Sequence, residues 1–162
     1  MPLFRATEPN YVLVASSLSF GAPAVVCYFY GQYLMSTLCA MLMMSSVQFH
    51  GNPVLLSFLV DQTMIGLVAL GVLALLYQLG PWALLVALLF KAYCIFIYYS
   101  PYREQLTYHP NRKIADLWHG SMHVLLALAI CVAQPFLGKK IEPPEQLQQS
   151  QQSQQSQQSQ ST

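Results

Sequence analysis

Long apolar runs separated by short turns occupy most of the first 135 residues of the chain. A helix needs about 20 consecutive, mainly apolar residues to cross the hydrocarbon core of a bilayer, and each run is about that long. Glycine or proline marks the turns at Gly31, 51–53 and Gly80-Pro81, and the polar stretch 101–113 precedes the last run. The pattern predicts five membrane-spanning helices, at about 11–30, 32–50, 53–78, 81–100 and 114–135.

Composition supports the same interpretation. Hydrophobic residues make up 55% of the chain and charged residues 8%, against about 25% charged residues in an average soluble domain. The expected fold is an all-α, multi-pass integral membrane bundle whose surroundings are membrane lipids. The net charge of +1 argues against nucleic acid as a partner, because nucleic-acid binding requires a basic surface.

The two ends of the chain differ from this core. The segment 1–10 shows no clear small-residue cleavage site, so we expect the first span to be retained. The transmembrane domain is assigned to 11–136. The remaining segment, 137–162, consists largely of repeated glutamine and serine, with no apolar residue after Leu147. It has too little apolar surface to bury, and we expect a disordered tail.

Polar residues of three spans are predicted to lie at similar depths below one face of the membrane. We call the face that holds the N-terminus side A. Because successive spans alternate in direction, His50 ends the second span at side A. At 1.5 Å per residue, Asp61 lies roughly 12 Å below that face, and His119 and His123 lie roughly 8 and 14 Å below it. The spans therefore predict a shared polar layer near side A.

The stretch WHGSMH, 118–123, places His119 and His123 four residues apart on one face of a helix. This spacing allows two imidazoles to bind one metal ion, and His50 is the candidate third ligand. Catalytic zinc takes three protein ligands and a water, whose pKa falls to about 7. Asp61 would then orient or deprotonate that water. Ser46, one turn before His50, would donate a hydrogen bond to a ligand or to a substrate oxyanion.

A structural explanation of the same polar residues is also open. Lys91 is roughly 13 Å below side A when counted from Ser100, almost level with Asp61. An ion pair between Asp61 and Lys91 would account for both charges without a metal. The tyrosines that end the fourth span (Tyr93, Tyr98, Tyr99 and Tyr102) favour an aromatic belt at the headgroups over a substrate contact.

The order of these polar residues resembles the CREST superfamily of membrane proteins. The residues that carry the resemblance are the Ser-x-x-x-His pattern at 46–50 (SVQFH), Asp61 eleven residues later, and the His-x-x-x-His pattern at 119–123 (HGSMH). The superfamily includes alkaline ceramidases, adiponectin/progestin receptors, GPI-anchor lipid-remodelling proteins and myomaker-related proteins. The resemblance covers roughly residues 32–135.

The resemblance implies a seven-helix fold, zinc held by His50, His119 and His123, and Asp61 acting through water. It implies hydrolysis of a lipid amide or ester bond, as in ceramidases or lipid-remodelling enzymes. With five spans this chain has two fewer, an even number, so its last helix still enters from side A. A zinc-dependent membrane lipid hydrolase is therefore the expected function. The alternative is a non-catalytic membrane receptor, fusion or scaffold protein with a structural metal site.

Overall fold

The computed structural model describes residues 8–99 and 101–138 of the chain. These residues form helices and no strands, which confirms the predicted all-α class. The prediction of a disordered tail lies largely outside the described residues. The helices are α1 (Tyr11–Ser17), α2 (Gly21–Phe29), α3 (Tyr33–Gly51), α4 (Leu55–Leu79), α5 (Pro81–Tyr99) and α6 (Arg112–Gly138).

The first predicted span is a single rod, Tyr11–Phe29, in which a 3-10 turn joins α1 to α2. The rod begins at Asn10, whose side-chain oxygen accepts a hydrogen bond from the Leu13 N–H at 3.2 Å. Pro23 has no N–H for the carbonyl four residues earlier, that of Ser19. The 3-10 turn covers Leu18–Phe20, where this missing bond favours tighter winding.

Within the described residues, four helical segments are long and apolar enough to cross a membrane: Tyr11–Phe29, α4, α5 and α6. The protein is therefore assigned to a membrane. Helix α3 has 19 residues, or about 28 Å at 1.5 Å per residue, but its last turns carry Ser45, Ser46, Gln48 and His50. Ser45, Ser46 and His50 are buried, because α3 packs against α1, α2 and α4. The least apolar of the predicted spans thus turns most of these polar residues toward its neighbours, while Gln48 is exposed.

Helices α2, α3, α4 and α6 surround the apolar core. Helix α5 lies outside this arrangement and packs against α4. Helix α6 continues past Pro135 to Gly138, so the predicted end at 135 is too early. A proline so close to the end of a helix removes one hydrogen bond and leaves few later residues to support. The core side chains are Phe20, Cys27, Met35, Cys39, Leu42, Met64, Val68, Ala127 and Ile130.

The N-terminal residues, the end of α3 and the start of α6 meet on one face, as the predicted side A requires. The Asn10 N–H donates to the His50 carbonyl at 2.8 Å. The Asn10 side-chain amide donates to Asp116 Oδ1 at 2.6 Å. Arg112 donates to the Pro9 carbonyl at 2.9 Å and lies 3.7 Å from the Glu8 carboxylate. These contacts satisfy a terminal carbonyl of α3 and tie three helices together.

The ion pair between Asp61 and Lys91, which the sequence left open as an alternative to a metal site, does not form. Asp61 is 3% exposed in the bundle interior, whereas Lys91 is exposed on α5. Helix α4 has 25 residues and α5 has 19, so α5 ends below the level at which α4 begins. Counted along each helix from their shared turn at Gly80, Asp61 lies about eight residues further from the turn than Lys91, a difference in depth of roughly 12 Å. The depths derived from the sequence were counted inward from side A, on the assumption that α4 and α5 both extend to that face. This assumption is wrong.

We expect single cysteines at Glu8 and Glu104 to react with a membrane-impermeant thiol reagent from the same side of the membrane. Glu8 belongs to the segment that contacts Arg112, and Glu104 lies in the exposed stretch before α6. Trp82→Cys, near the opposite turn and 79% exposed, is the control and should react from the other side. The background would lack the half-buried thiols of Cys94 and Cys131. Labelling of Glu8→Cys and Glu104→Cys from opposite faces would contradict the fold.

Candidate metal centre

Three histidine side chains from α3 and α6 converge below side A. Each of His50, His119 and His123 offers a ring nitrogen, and these nitrogens lie within 4.8 Å of one another. The ring centroids are 5.0 Å apart for His50 and His119, 5.6 Å for His50 and His123, and 4.9 Å for His119 and His123. The fold therefore brings together the three residues that the sequence proposed as metal ligands.

The position of His50 follows from the end of α3. Asn52 precedes a proline and is extended (φ −142°, ψ 83°), because a following proline disfavours helical geometry. His50 therefore lies in the last helical turn, where its carbonyl accepts from the Asn10 N–H. The His50 side chain is 6% exposed, and its Nε2 atom is buried without a hydrogen-bond partner. An unsatisfied buried polar atom is costly, and a metal ion would remove that cost.

The Nδ1 atoms of the other two histidines each contact a hydroxyl group. His119 Nδ1 lies 3.1 Å from the Tyr98 hydroxyl, and His123 Nδ1 lies 2.9 Å from Ser16 Oγ. Histidines that bind metals typically use their second ring nitrogen in this way, which fixes the orientation of the ring. The hydroxyl contacts leave Nε2 of His119 and of His123 for another ligand.

The Ser16 hydroxyl has two partners, the Leu13 carbonyl at 3.0 Å and His123 Nδ1 at 2.9 Å. When Ser16 donates its one proton to Leu13, the imidazole N–H at Nδ1 donates to Ser16. That tautomer leaves the lone pair on Nε2, where it can bind a metal.

Gly120 lies where α6 packs against α1. A Cβ atom at Gly120 would lie 3.4 Å from both Cβ and Oγ of Ser16 and 3.9 Å from a Leu13 methyl group, which are ordinary van der Waals distances. The same contact brings His123, one turn after His119, within hydrogen-bond distance of Ser16.

Asp61 lies among serines of the preceding helices. Ser45 Oγ donates to Asp61 Oδ1 at 3.3 Å, and Ser46 is a second hydroxyl beside the carboxylate. Ser46 Oγ also accepts a hydrogen bond from Ser17 Oγ at 3.1 Å. Among the described residues Asp61 is not part of the group of clustered ligand atoms. The predicted roles of Asp61 and Ser46 stay predictions.

Sequence reasoning missed Ser16, Ser17 and Tyr98. The serines stand at positions six and seven of the first span, roughly 8–9 Å from its start, which is the depth of the histidines. Counting depth along that span would have found them. Tyr98 was assigned to a headgroup belt on the assumption that α5 reaches side A. That assignment is wrong for Tyr98, because α5 is short and the hydroxyl reaches His119 inside the bundle.

Comparison of the chain with protein-family models, curated proteins and solved structures found no match. Two buried imidazoles and one half-buried imidazole form a nitrogen ligand set, and neutral imidazole suits zinc, copper, iron or nickel rather than magnesium or calcium.

We expect Ser16→Ala and Tyr98→Phe each to weaken zinc binding by about 10–100-fold without changing the number of ions bound, since each removes a hydroxyl that orients a ligand. The measurement is chelator competition on detergent-purified protein. Ser121→Ala is the matched control, because Ser121 bonds the Trp118 carbonyl within the same helix. Equal affinities in Ser16→Ala and Ser121→Ala would show that the Ser16–His123 bond does not support the site.

Proposed function

We propose that this protein is a multi-pass membrane hydrolase that uses zinc to cleave an amide or ester bond of a lipid. The proposal is carried by the cluster of His50, His119 and His123, whose ligand nitrogens lie within 4.8 Å of one another. The unpartnered Nε2 of His50 is the detail that favours a bound ion over a purely structural polar cluster.

The residues fit zinc in number and in kind. Three protein ligands with one open position are typical of catalytic zinc, whereas structural zinc sites usually have four protein ligands. When bound, the ion would supply Lewis acidity and a water acidified to near neutral pH. Ser16 and Tyr98 orient two of the imidazoles through hydrogen bonds at 2.9 and 3.1 Å. The chain itself thus supplies both ligands and the groups that position them.

The depth of the cluster supports a lipid substrate. Arg112 starts α6 and contacts the Glu8 carboxylate at 3.7 Å, which places both at the polar surface. His119 and His123 follow seven and eleven residues later, roughly 10 and 16 Å below. The polar zone on each side of the hydrocarbon core is roughly 5–7 Å thick. The cluster therefore lies just beyond the boundary at which lipid amide and ester groups join their acyl chains.

Asp61 is the candidate for proton transfer. Its carboxylate is held by Ser45, on the helix that carries His50, and it is not itself one of the clustered ligands. A carboxylate in that position can accept a proton from an attacking water and return it to the leaving group. Ser46, one turn before His50, is the candidate donor to the developing oxyanion.

The residue pattern supports the same class of reaction. The Ser-x-x-x-His, Asp and His-x-x-x-His elements resemble those of the CREST superfamily, whose enzymatic members hydrolyse lipid amide or ester bonds. In this chain the three elements lie on α3, α4 and α6. Sphingolipids are therefore the first substrates to test.

A non-catalytic receptor, fusion or scaffold protein with a structural metal site is the second candidate. It is favoured by the burial of the cluster, since His50 is 6% and His123 8% exposed. Asn10 further joins the ends of α3 and α6 on side A, through the His50 carbonyl and Asp116. A substrate would have to reach the histidines from within the membrane or by displacing these contacts.

Purified protein is expected to contain about one zinc ion per chain, measured by elemental analysis after gel filtration in detergent. The His119→Ala/His123→Ala double variant removes two of three ligands and should lose the metal. His109→Ala is the control, because His109 lies in the polar stretch before α6, where its ring accepts from the Asn111 N–H. Stoichiometric zinc in the double variant would remove these residues from the site.

Asp61→Asn should retain zinc and lower lipid hydrolysis by about 10²–10⁴-fold, since it removes a base and leaves a side chain of similar shape. Turnover would be measured on ceramides and on glycerolipid esters, and by lipid analysis of cells that lack the protein and are rescued with either form. Asp116→Asn is the matched control, because it keeps an oxygen for Asn10 and should retain turnover. Measurable and equal turnover by wild type and Asp61→Asn would contradict the catalytic role of Asp61. Absence of turnover in both proteins, with zinc bound, would favour the non-catalytic protein with a structural metal site.

A further inference from the structure

Helix α5 is the least buried of the four membrane-length segments. Only 6% of its apolar stretch is buried, compared with 39% for α6. Its packing partner among the long helices is α4. The side of α5 that carries the stripe Leu88, Lys91, Ala92 and Ile95 is exposed along its length. We call this stripe the Lys91 surface.

Lys91 is a charge in the middle of a membrane span. It is eleven residues from the Gly80 turn and eight from the end of α5 at Tyr99, which is roughly 16 and 12 Å along the helix. A hydrocarbon core about 30 Å thick puts the Lys91 backbone near its midplane. Lysine can extend its amine toward an interface, but the Lys91 backbone is nearly as far from both interfaces as the thickness of the bilayer allows.

The described part of the chain provides no carboxylate for this lysine. Its acidic residues are Glu8, Asp61, Glu104 and Asp116. Glu8 and Asp116 pair with Arg112. Asp61 and Asp116 are buried inside the bundle, while Glu8 and Glu104 lie outside the spans. The described residues of a second copy would therefore bring no exposed intramembrane acid to Lys91.

Ionisable residues inside membranes are costly, and they usually pair with one another within protein. The Lys91 surface combines such a residue with apolar neighbours, Leu88 and Ile95, which are 54% and 50% exposed. We propose that this surface binds a transmembrane helix of another protein that carries an aspartate or glutamate at mid-membrane depth. The ion pair sets the depth of the partner, and the apolar stripe packs against it.

A synthetic helix tests the proposal, because it can present the chemistry that the Lys91 surface would recognise. The probes are transmembrane peptides of about 22 leucine and alanine residues with a central aspartate, or with a central leucine as reference. Donor-labelled full-length protein and acceptor-labelled peptide are mixed in phosphatidylcholine vesicles, and energy transfer is titrated. We expect wild type to bind the aspartate peptide about tenfold more tightly than the leucine peptide.

The variants separate the ion pair from general helix association. Lys91→Met should abolish the preference, and it should fold because it removes a lipid-facing charge. Lys91→Arg should retain the preference. Gln62→Leu is the matched control, because Gln62 is an exposed polar residue of the neighbouring helix, and it should also retain the preference.

Three results would overturn the proposal. The first is equal binding of both peptides to wild type, which would mean that the surface faces lipid. The second is an unchanged preference in Lys91→Met. The third is energy transfer between donor- and acceptor-labelled copies of the chain that is lost in Lys91→Met, which would identify a second copy as the occupant.

Discussion

Polar side chains inside an apolar membrane bundle are costly unless they find partners within the protein, and much of this structure depends on that constraint. No water is available in the hydrocarbon core to satisfy an isolated hydroxyl, imidazole or carboxylate. Ser17, Ser46 and Asp61 therefore face the interior, where serine hydroxyls bond one another and the carboxylate. This inward polar layer explains why α3 turns Ser45, Ser46 and His50 toward its neighbours and why the remaining helices can present apolar faces to lipid.

The unequal lengths of α4 and α5 connect the polar layer to the candidate metal centre. Helix α4 ends and α5 begins at the same turn, but α4 has 25 residues and α5 has 19. Tyr98, at the end of the shorter helix, is therefore level with the histidines and bonds His119. The same difference separates Lys91 from Asp61. One geometric property thus supplies a hydroxyl to the site and leaves a lysine on the outside of the bundle.

Contacts between α1 and α6 hold the other side of the centre. Gly120 packs against Ser16, Ser16 hydrogen-bonds His123, and Asn10 joins the start of the first rod to His50 and Asp116. Each contact joins residues far apart in the chain. Ser16 of α1 and Tyr98 of α5 hydrogen-bond two of the three imidazoles, so metal affinity should respond to changes on α1 and α5 as well as to changes in the ligands.

The sequence by itself determined the helical class, the approximate spans and the convergence of His50, His119 and His123, because length, apolarity and alternating direction are local or additive properties. Span counting placed these residues on one side and at similar depth. It did not determine the partners of the imidazoles or the fate of Asp61 and Lys91. Those depend on which face each helix presents and on how far α5 extends relative to α4. Rotation and relative height are set by packing between helices, and only the tertiary structure decided them.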